Sequence, residues 1–270
     1  MSGLRIIKVG GRAQADAALP HAIAQAWVAR PHALVVVHGG GDEVSRLQRL
    51  TGGEPRFVDG RRVTTAGDLD TLRMALSGLA NKRLVSALVA LGVPAIGLSG
   101  EDAGLLLAHR ADEALGEVGA VHAVNVALLR HLFDGGFLPV ISPVSRHDGG
   151  AGALNVNGDD AAAAVAVALS AAELLLVADV AGVLVDGEPI AQVGPDGAAA
   201  LVASGAVTGG MIAKLDAART ALDAGVAGVR IGDVAAIADT RRGTLVAPVP
   251  ALTDLDAHTA TPRAALPIHA

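Results

Sequence analysis

Apolar positions in this chain of 270 residues fall mostly into short unbroken runs, several of them stopped by glycine. Ile6, Ile7 and Val9 make the first, closed by Gly10-Gly11, and residues 33–37 make the second, closed by His38-Gly39-Gly40-Gly41. Runs this short between turn residues suit strands buried on both faces. Similar strands are expected at 95–98, 105–107, 118–124, 138–141, 173–177, 228–231 and 244–247, with 105–107 and 118–124 forming a hairpin. Between them the apolar residues recur at helical spacing. That predicts helices over 21–29, 42–50 with Asp42 as cap, a long amphipathic 68–91, 125–134, an alanine-rich stretch ending at 170, 195–204 and 211–224. Residues 52–62 read as a polar loop, and 248–270, with Pro248, Pro250, Pro262 and Pro267 and no apolar period, as a flexible tail.

Strand alternating with helix implies an α/β fold, helices layered on a mainly parallel sheet. In such sheets ligands bind beyond the carboxyl ends of the strands, where the glycine clusters fall.

Composition narrows the chemistry. Aromatic residues are 1% of the chain, so the core is built from Ala, Val and Leu, and stacking platforms for single-stranded nucleic acid are not expected. A net charge of −6 opposes a broad nucleic-acid footprint. With no cysteine there is no disulfide, thiolate metal site or thiol catalysis, in keeping with a cytoplasmic protein. No leader and no membrane-spanning apolar run is expected, and His122, His131 and His147 lack metal-ligand spacing.

Two lysines stand in glycine-rich settings. Lys8 ends the first strand before Gly10-Gly11, and Lys214 lies in the first helical turn after Gly209-Gly210. A cation there opposes the helix dipole, a mismatch that often marks a site. Arg56, Arg61 and Arg62 in the polar loop offer bidentate partners for a carboxylate. Asn155, Asn157, Asp159 and Asp160 crowd one helix entrance, more than capping needs. The chain has no P-loop, no dinucleotide glycine fingerprint, no serine elbow and no H-E-x-x-H. Phosphoryl transfer requires mainly positioning and positive charge, which two lysines and glycine-loop amides supply.

Eight short motifs, in order over residues 4–247, carry a resemblance to the amino acid kinase family. They are Lys8-Val9-Gly10-Gly11, His38-Gly39-Gly40-Gly41, Gly60-Arg61-Arg62-Val63-Thr64, Asn81-Lys82, Gly97-Leu98-Ser99-Gly100, Asn155-Val156-Asn157-Gly158-Asp159, Asp179-Val180-Ala181-Gly182 and Gly210-Met211-Ile212-Ala213-Lys214. The resemblance implies a three-layer αβα sandwich. Lobe 1–172 would serve substrate and dimerisation, and lobe 173–247 would bind ATP. It is nearest to members that phosphorylate the side-chain carboxylate of N-acetyl-L-glutamate in arginine biosynthesis. Carrier-bound aminoadipate or glutamate, or a non-catalytic amino-acid or nucleotide sensor, are the alternatives.

By the same resemblance Lys8 and Lys214 stabilise the transferring phosphoryl group, and Asp159 holds both lysines. Gly10 and Gly11 serve the phosphates, and Gly40, Gly41, Arg62 and Asn155 hold the acetylated amino acid. Asp179, Val180, Ala181, Gly182, Val183, Leu184, Ala206, Val207 and Thr208 line the nucleotide pocket. Mg²⁺ accompanies ATP, with no metal site in the protein itself. Ala178 stands where the family usually has Ser or Thr before the aspartate. The chain opens almost at its first strand, where arginine-inhibited hexameric relatives carry a helix, so a homodimer without arginine feedback is expected.

Overall fold

A computed structural model of the chain describes residues 3–58 and 60–247. It opens with β1 (Arg5–Val9), α1 (Leu19–Ala29), β2 (Leu34–His38), α2 (Gly41–Leu50), β3 (Phe57–Val58) and β4 (Arg61–Arg62). A continuous helical path follows, α3 (Asp68–Leu72), a π-helical stretch (Arg73–Ala80) and α4 (Asn81–Ala90). Next come β5 (Ala95–Gly100), β6 (Leu106–Arg110), β7 (Val118–Val124), α5 (Val126–Asp134), β8 (Leu138–His147), β9 (Ala153–Val156), α6 (Gly158–Ala168) and β10 (Glu173–Val177). The chain continues with β11 (Leu184–Val185), β12 (Glu188–Pro189), β13 (Gln192–Val193), α7 (Pro195–Ala203), α8 (Gly210–Asp223), β14 (Val229–Gly232), α9 (Ala235–Ala238) and β15 (Thr244–Val246).

One sheet of 11 strands runs β13-β15-β14-β10-β1-β2-β8-β6-β7-β9, with β5 also on β8. β1 sits near its middle, parallel to β10 on one side and to β2 on the other. Only the β6–β7, β8–β9 and β14–β15 pairs of this sheet are antiparallel, so the sheet is mainly parallel. Successive side chains of a strand point to opposite faces. Ile6 packs in the cluster that includes Leu129, Ala161 and Leu215 from α5, α6 and α8. Ile7 and Val9 pack with Ile23, Leu88 and Ile237 from α1, α4 and α9. Both faces are therefore covered, which makes a three-layer sandwich and explains the unbroken apolar runs. Lys8 shares the face of Ile6 and so rises toward α6 and α8.

The long helix expected at 68–91 is present, but with π-helical winding through its middle. β8 extends past the expected stop at Ser142-Pro143. Proline cannot donate to a ladder. Here, however, the register against β5 jumps from Ser99↔Ser142 to Gly100↔Ser145, so Pro143 falls in an irregularity that asks for no N–H. β9 arises where the sequence reading had only the approach to a helix, and the β3–β4 hairpin where it had a polar loop. The tail at 248–270 lies outside the described residues.

At the amino end of the strands, Arg5 is buried beside Glu173, its Nε 2.7 Å from Oε2 though poorly aligned for a hydrogen bond. Its Nη2 donates to the Ala236 carbonyl at 3.0 Å. Arg230 Nε donates to Glu173 Oε1 at 2.7 Å. This network ties α9 to β1, β10 and β14 on the edge opposite the glycine loops.

Candidate active site

Lys8 reaches the carboxyl edge of β1 with only 6% of its surface exposed. Its Nζ lies 2.9 Å from Asp159 Oδ1, and Lys214 Nζ lies 3.2 Å from the same oxygen. Asp159 stands in the first turn of α6 and Lys214 is the fifth residue of α8, at the start of its second turn, so three elements far apart in sequence converge on one carboxylate. Burial pushes Asp159 up, but the two lysines outweigh it and hold the carboxyl below its usual value. Burial and the repulsion of Lys8 push Lys214 down, against the pull of Asp159. Two ammonium groups and one buried carboxylate leave a net positive centre, suited to an anion with charge to share.

Gly158 makes room for this centre: a Cβ there would lie 3.2 Å from Lys8 Cε. Gly11 faces the second glycine loop, where an added Cβ would meet Gly41 N at 3.4 Å and Gly40 Cα at 3.5 Å. α2 starts at Gly41 with Gly40 as its cap, and no side chain caps it. The expectation that Asp42 caps this helix is corrected, because Asp42 lies inside the first turn. α8 likewise follows an uncapped Gly209. Amides at both helix starts are left free of side-chain caps, with the dipole favouring a bound anion.

Two clefts meet at Lys8 and Gly11. The larger, about 540 Å³, is lined by Gly10, Arg12, Asp179, Val180, Leu184, Ala206, Val207, Thr208, Met211 and Lys214 among others. Three residues expected in this wall are outside it. Gly182 and Val183 turn inward, since Val183 is fully buried, its N–H donates to Thr244 Oγ1 at 2.8 Å, and Gly182 packs against the same hydroxyl, while Ala181 is half-buried beside them. Gly182 is glycine because Thr244 needs the space. Ala178, where a hydroxyl residue is usual, does line the cleft.

The smaller cleft, about 220 Å³, takes in Gly39, Gly40, Gly41, Arg62, Leu76, Asn155, Asn157 and Asp159. Arg62 is held from several sides. It donates to Ser45 Oγ at 2.7 Å and the Gly41 carbonyl at 2.9 Å, binds Gln48 Oε1, and lies 4.8 Å above the Phe57 ring. Gln48 Nε2 in turn donates to Asp68 at 2.7 Å. Asn155 Nδ2 donates to the buried Thr64 hydroxyl at 2.9 Å. Met211, inside one of the eight motifs, also lines the larger cleft, whereas the sequence reading missed Ser45, Gln48 and Phe57 here and Arg12 there. No motif flags them, because their roles depend on which loop lies against which.

Arg61 parts from Arg62 and pairs with Asp160 at 3.4 Å. Asp160, unlike its neighbour, is raised, chiefly by burial and in spite of Arg61. Buried His38 joins the second glycine loop to Asn81, whose Nδ2 lies 3.0 Å from its Nε2. Among the described residues no group of three or more His, Asp or Glu side chains could hold a metal ion.

A profile of the amino acid kinase family matches residues 3–233. An acetylglutamate kinase of Chloroflexus aurantiacus is 43% identical over 242 residues, covering 88% of this chain and 95% of the relative. One from Methanopyrus kandleri is 44% identical, covering 78% and 90%. Among solved structures, the N-acetylglutamate synthase of Neisseria gonorrhoeae, complexed with coenzyme A and N-acetyl-glutamate, aligns with TM-score 0.78 and 25% identity over 92% of this chain and 60% of that one. Giardia carbamate kinase shares the fold, with TM-score 0.66 and 15% identity over 92% of this chain and 99% of that one.

Proposed function

The chain belongs to the amino acid kinase family, and from that premise we propose that it phosphorylates the side-chain carboxylate of N-acetyl-L-glutamate with ATP, a step of arginine biosynthesis. The observation that carries this reading is the junction of two clefts on Lys8 and Gly11. ATP lies in the larger, its phosphates toward Gly10, Gly11 and Lys214. The amino acid lies in the smaller, its γ-carboxylate toward Lys8 and the amides of Gly40 and Gly41. Arg62 takes the α-carboxylate and Asn155 the amide. At about 220 Å³ that cleft is below the roughly 300–1,000 Å³ of pockets for drug-sized ligands. It suits a small free amino acid better than one presented on a carrier protein.

A carboxylate oxygen attacks the γ-phosphorus, the bond to the bridging oxygen breaks, and ADP leaves with that electron pair. The product is an acyl phosphate. The nucleophile is ionised at neutral pH, so no general base is needed. Lys8 and Lys214 stabilise charge on the transferring oxygens, and Asp159 sets both ammonium groups in place before the substrates arrive. Mg²⁺ would come with ATP. Asp159 is committed to the two lysines, so phosphate oxygens and water would supply the metal's coordination.

We place the reaction in the cytoplasm, where ATP is supplied; no helix among the described residues is long and apolar enough to cross a membrane. We further propose a homodimer joined along the helical path of α3 and α4, where Met74, Leu79 and Val89 stay exposed. The deciding experiment is ADP release with N-acetylglutamate, glutamate, aspartate and carrier-bound aminoadipate offered separately. Turnover is expected with N-acetylglutamate. Turnover on another acceptor alone would replace the substrate and keep the kinase, and none on any acceptor would favour a sensor.

A further inference from the structure

The cleft assigned to ATP holds one cation that the proposed chemistry does not use. Arg12 follows the first glycine pair and sits in a short 3₁₀ turn, Arg12–Ala15. The root of its side chain is fixed. Gln14 N–H bonds back to the carbonyls of Gly10 and Gly11, and Gln14 Nε2 donates to the Gly39 carbonyl at 2.6 Å. The guanidinium is free by contrast, with the side chain 76% exposed. Its Nη1 lies 2.7 Å from Asp179 Oδ2, on a carboxylate that is itself 50% exposed. Arg12 and Asp179 both line the cleft beside Lys8 and Lys214, and Asp179 is the only anion among the described residues in that lining.

Charge makes this pairing provisional. An exposed ion pair of this kind is weak, because water and salt screen it. Two lysines around Asp159 leave the inner end of the cleft with one net positive charge, whereas a polyphosphate brings several negative ones. A guanidinium binds phosphate oxygens in bidentate fashion and prefers the denser charge to a single solvated carboxylate. Lys8 and Lys214 are occupied at the transferring group, so among the described residues lining the cleft Arg12 is the one side-chain cation left for the next phosphate inward, the β-phosphate that ATP and ADP share and AMP lacks.

We propose that Arg12 is a polyphosphate-binding residue, which leaves Asp179 for the phosphates of the incoming nucleotide. Asp179 is its partner in the empty cleft: it aims the guanidinium at the cleft mouth and neutralises it until ATP arrives. This rests on the assignment of the larger cleft to ATP.

The test compares binding of AMP, ADP and ATP, each with Mg²⁺, to the unmodified chain, Arg12→Gln and Arg12→Lys by calorimetry. Arg12→Gln should weaken ATP and ADP about tenfold and leave AMP unchanged, with a shallower dependence of ATP affinity on salt. Arg12→Lys should recover part of the loss, keeping the charge but losing the fork. Equal loss for all three nucleotides, or none, overturns the proposal, since a residue that only shapes the cleft does not count phosphates. If the unmodified chain binds no ATP, the nucleotide assignment itself falls. If it binds ATP and Arg12→Gln leaves the series unchanged, only the role of Arg12 falls.

Discussion

Burial, aided by Lys8 and Lys82 and opposed by the Gly39 carbonyl, pushes the His38 imidazole down to about 4. His38 is therefore neutral at pH 7. Its Nδ1–H donates to the Gly39 carbonyl at 2.9 Å, which leaves Nε2 to accept from Asn81, a tautomer inferred from these partners. Between about 6.5 and about 4 the unfolded chain takes up a proton that the folded chain refuses. Stability should fall as pH drops through that window, by about 3 kcal/mol in all, and this contribution should level off below it. Urea unfolding of the unmodified chain and of His38→Gln across that range tests this, and equal pH slopes would refute it. Lys214→Ala belongs to the same scale. It should cut kcat by roughly 10²–10³, as loss of one preorganised oxyanion donor does, while ATP still binds. Lost binding with unchanged turnover at saturation would count against its catalytic role. Lys8, Lys214 and Asp159 were recoverable as candidates because a lysine after a strand, a lysine against a helix dipole and surplus carboxylates at a helix entrance each break a local rule. Arg12 breaks none, since an arginine in a polar turn is unremarkable until a cleft opens beside it.

At the scale of elements, each helix start in the site is arranged around a space. Gly158 opens α6 and leaves Lys8 its path, so Gly158→Ala would press on the lysine stem. Alanine favours a helix over glycine by up to about 1 kcal/mol, so the variant should be as stable as the parent or slightly more so. Its turnover should nevertheless fall, about tenfold for a small displacement of a catalytic group. Thermal unfolding and steady-state rates measured together would expose the split, and a stable variant with full activity would rule out this steric role for Gly158. Helix and strand order was legible from the apolar period, and glycine ended β1 where expected, although β5 runs on through Gly100 and β14 takes in Gly232. β8 escaped that logic because Pro143 usually ends a strand. Only the neighbouring β5, with its shifted register, reveals that no ladder bond is missing there.

For the whole molecule, the candidate site sits on the carboxyl edge of the sheet and a largely buried ion cluster on the amino edge. Removing Glu173 would leave buried Arg5, with partly exposed Arg230 beside it, without their counter-ion. Glu173→Ala should destabilise the fold by about 3–5 kcal/mol. Activity per folded molecule should stay near that of the parent, because the site lies at the other end of β1 and β10. A large loss of kcat in the folded fraction would contradict that separation. Light scattering of the unmodified chain and Leu79→Glu addresses the proposed dimer, which should dissociate when a charge replaces an exposed leucine of the π-helical stretch. Apolar period and glycine punctuation are local properties of the chain, and they were enough to read the helix layers, the parallel sheet and the edge where the glycine loops fall. The carboxylate shared by Lys8 and Lys214, the packing of Gly182 and Val183 against Thr244, and the meeting of Arg12 and Asp179 at the cleft emerge only in three dimensions. Those facts depend on distances between segments up to about two hundred residues apart, and no periodicity along the chain encodes them.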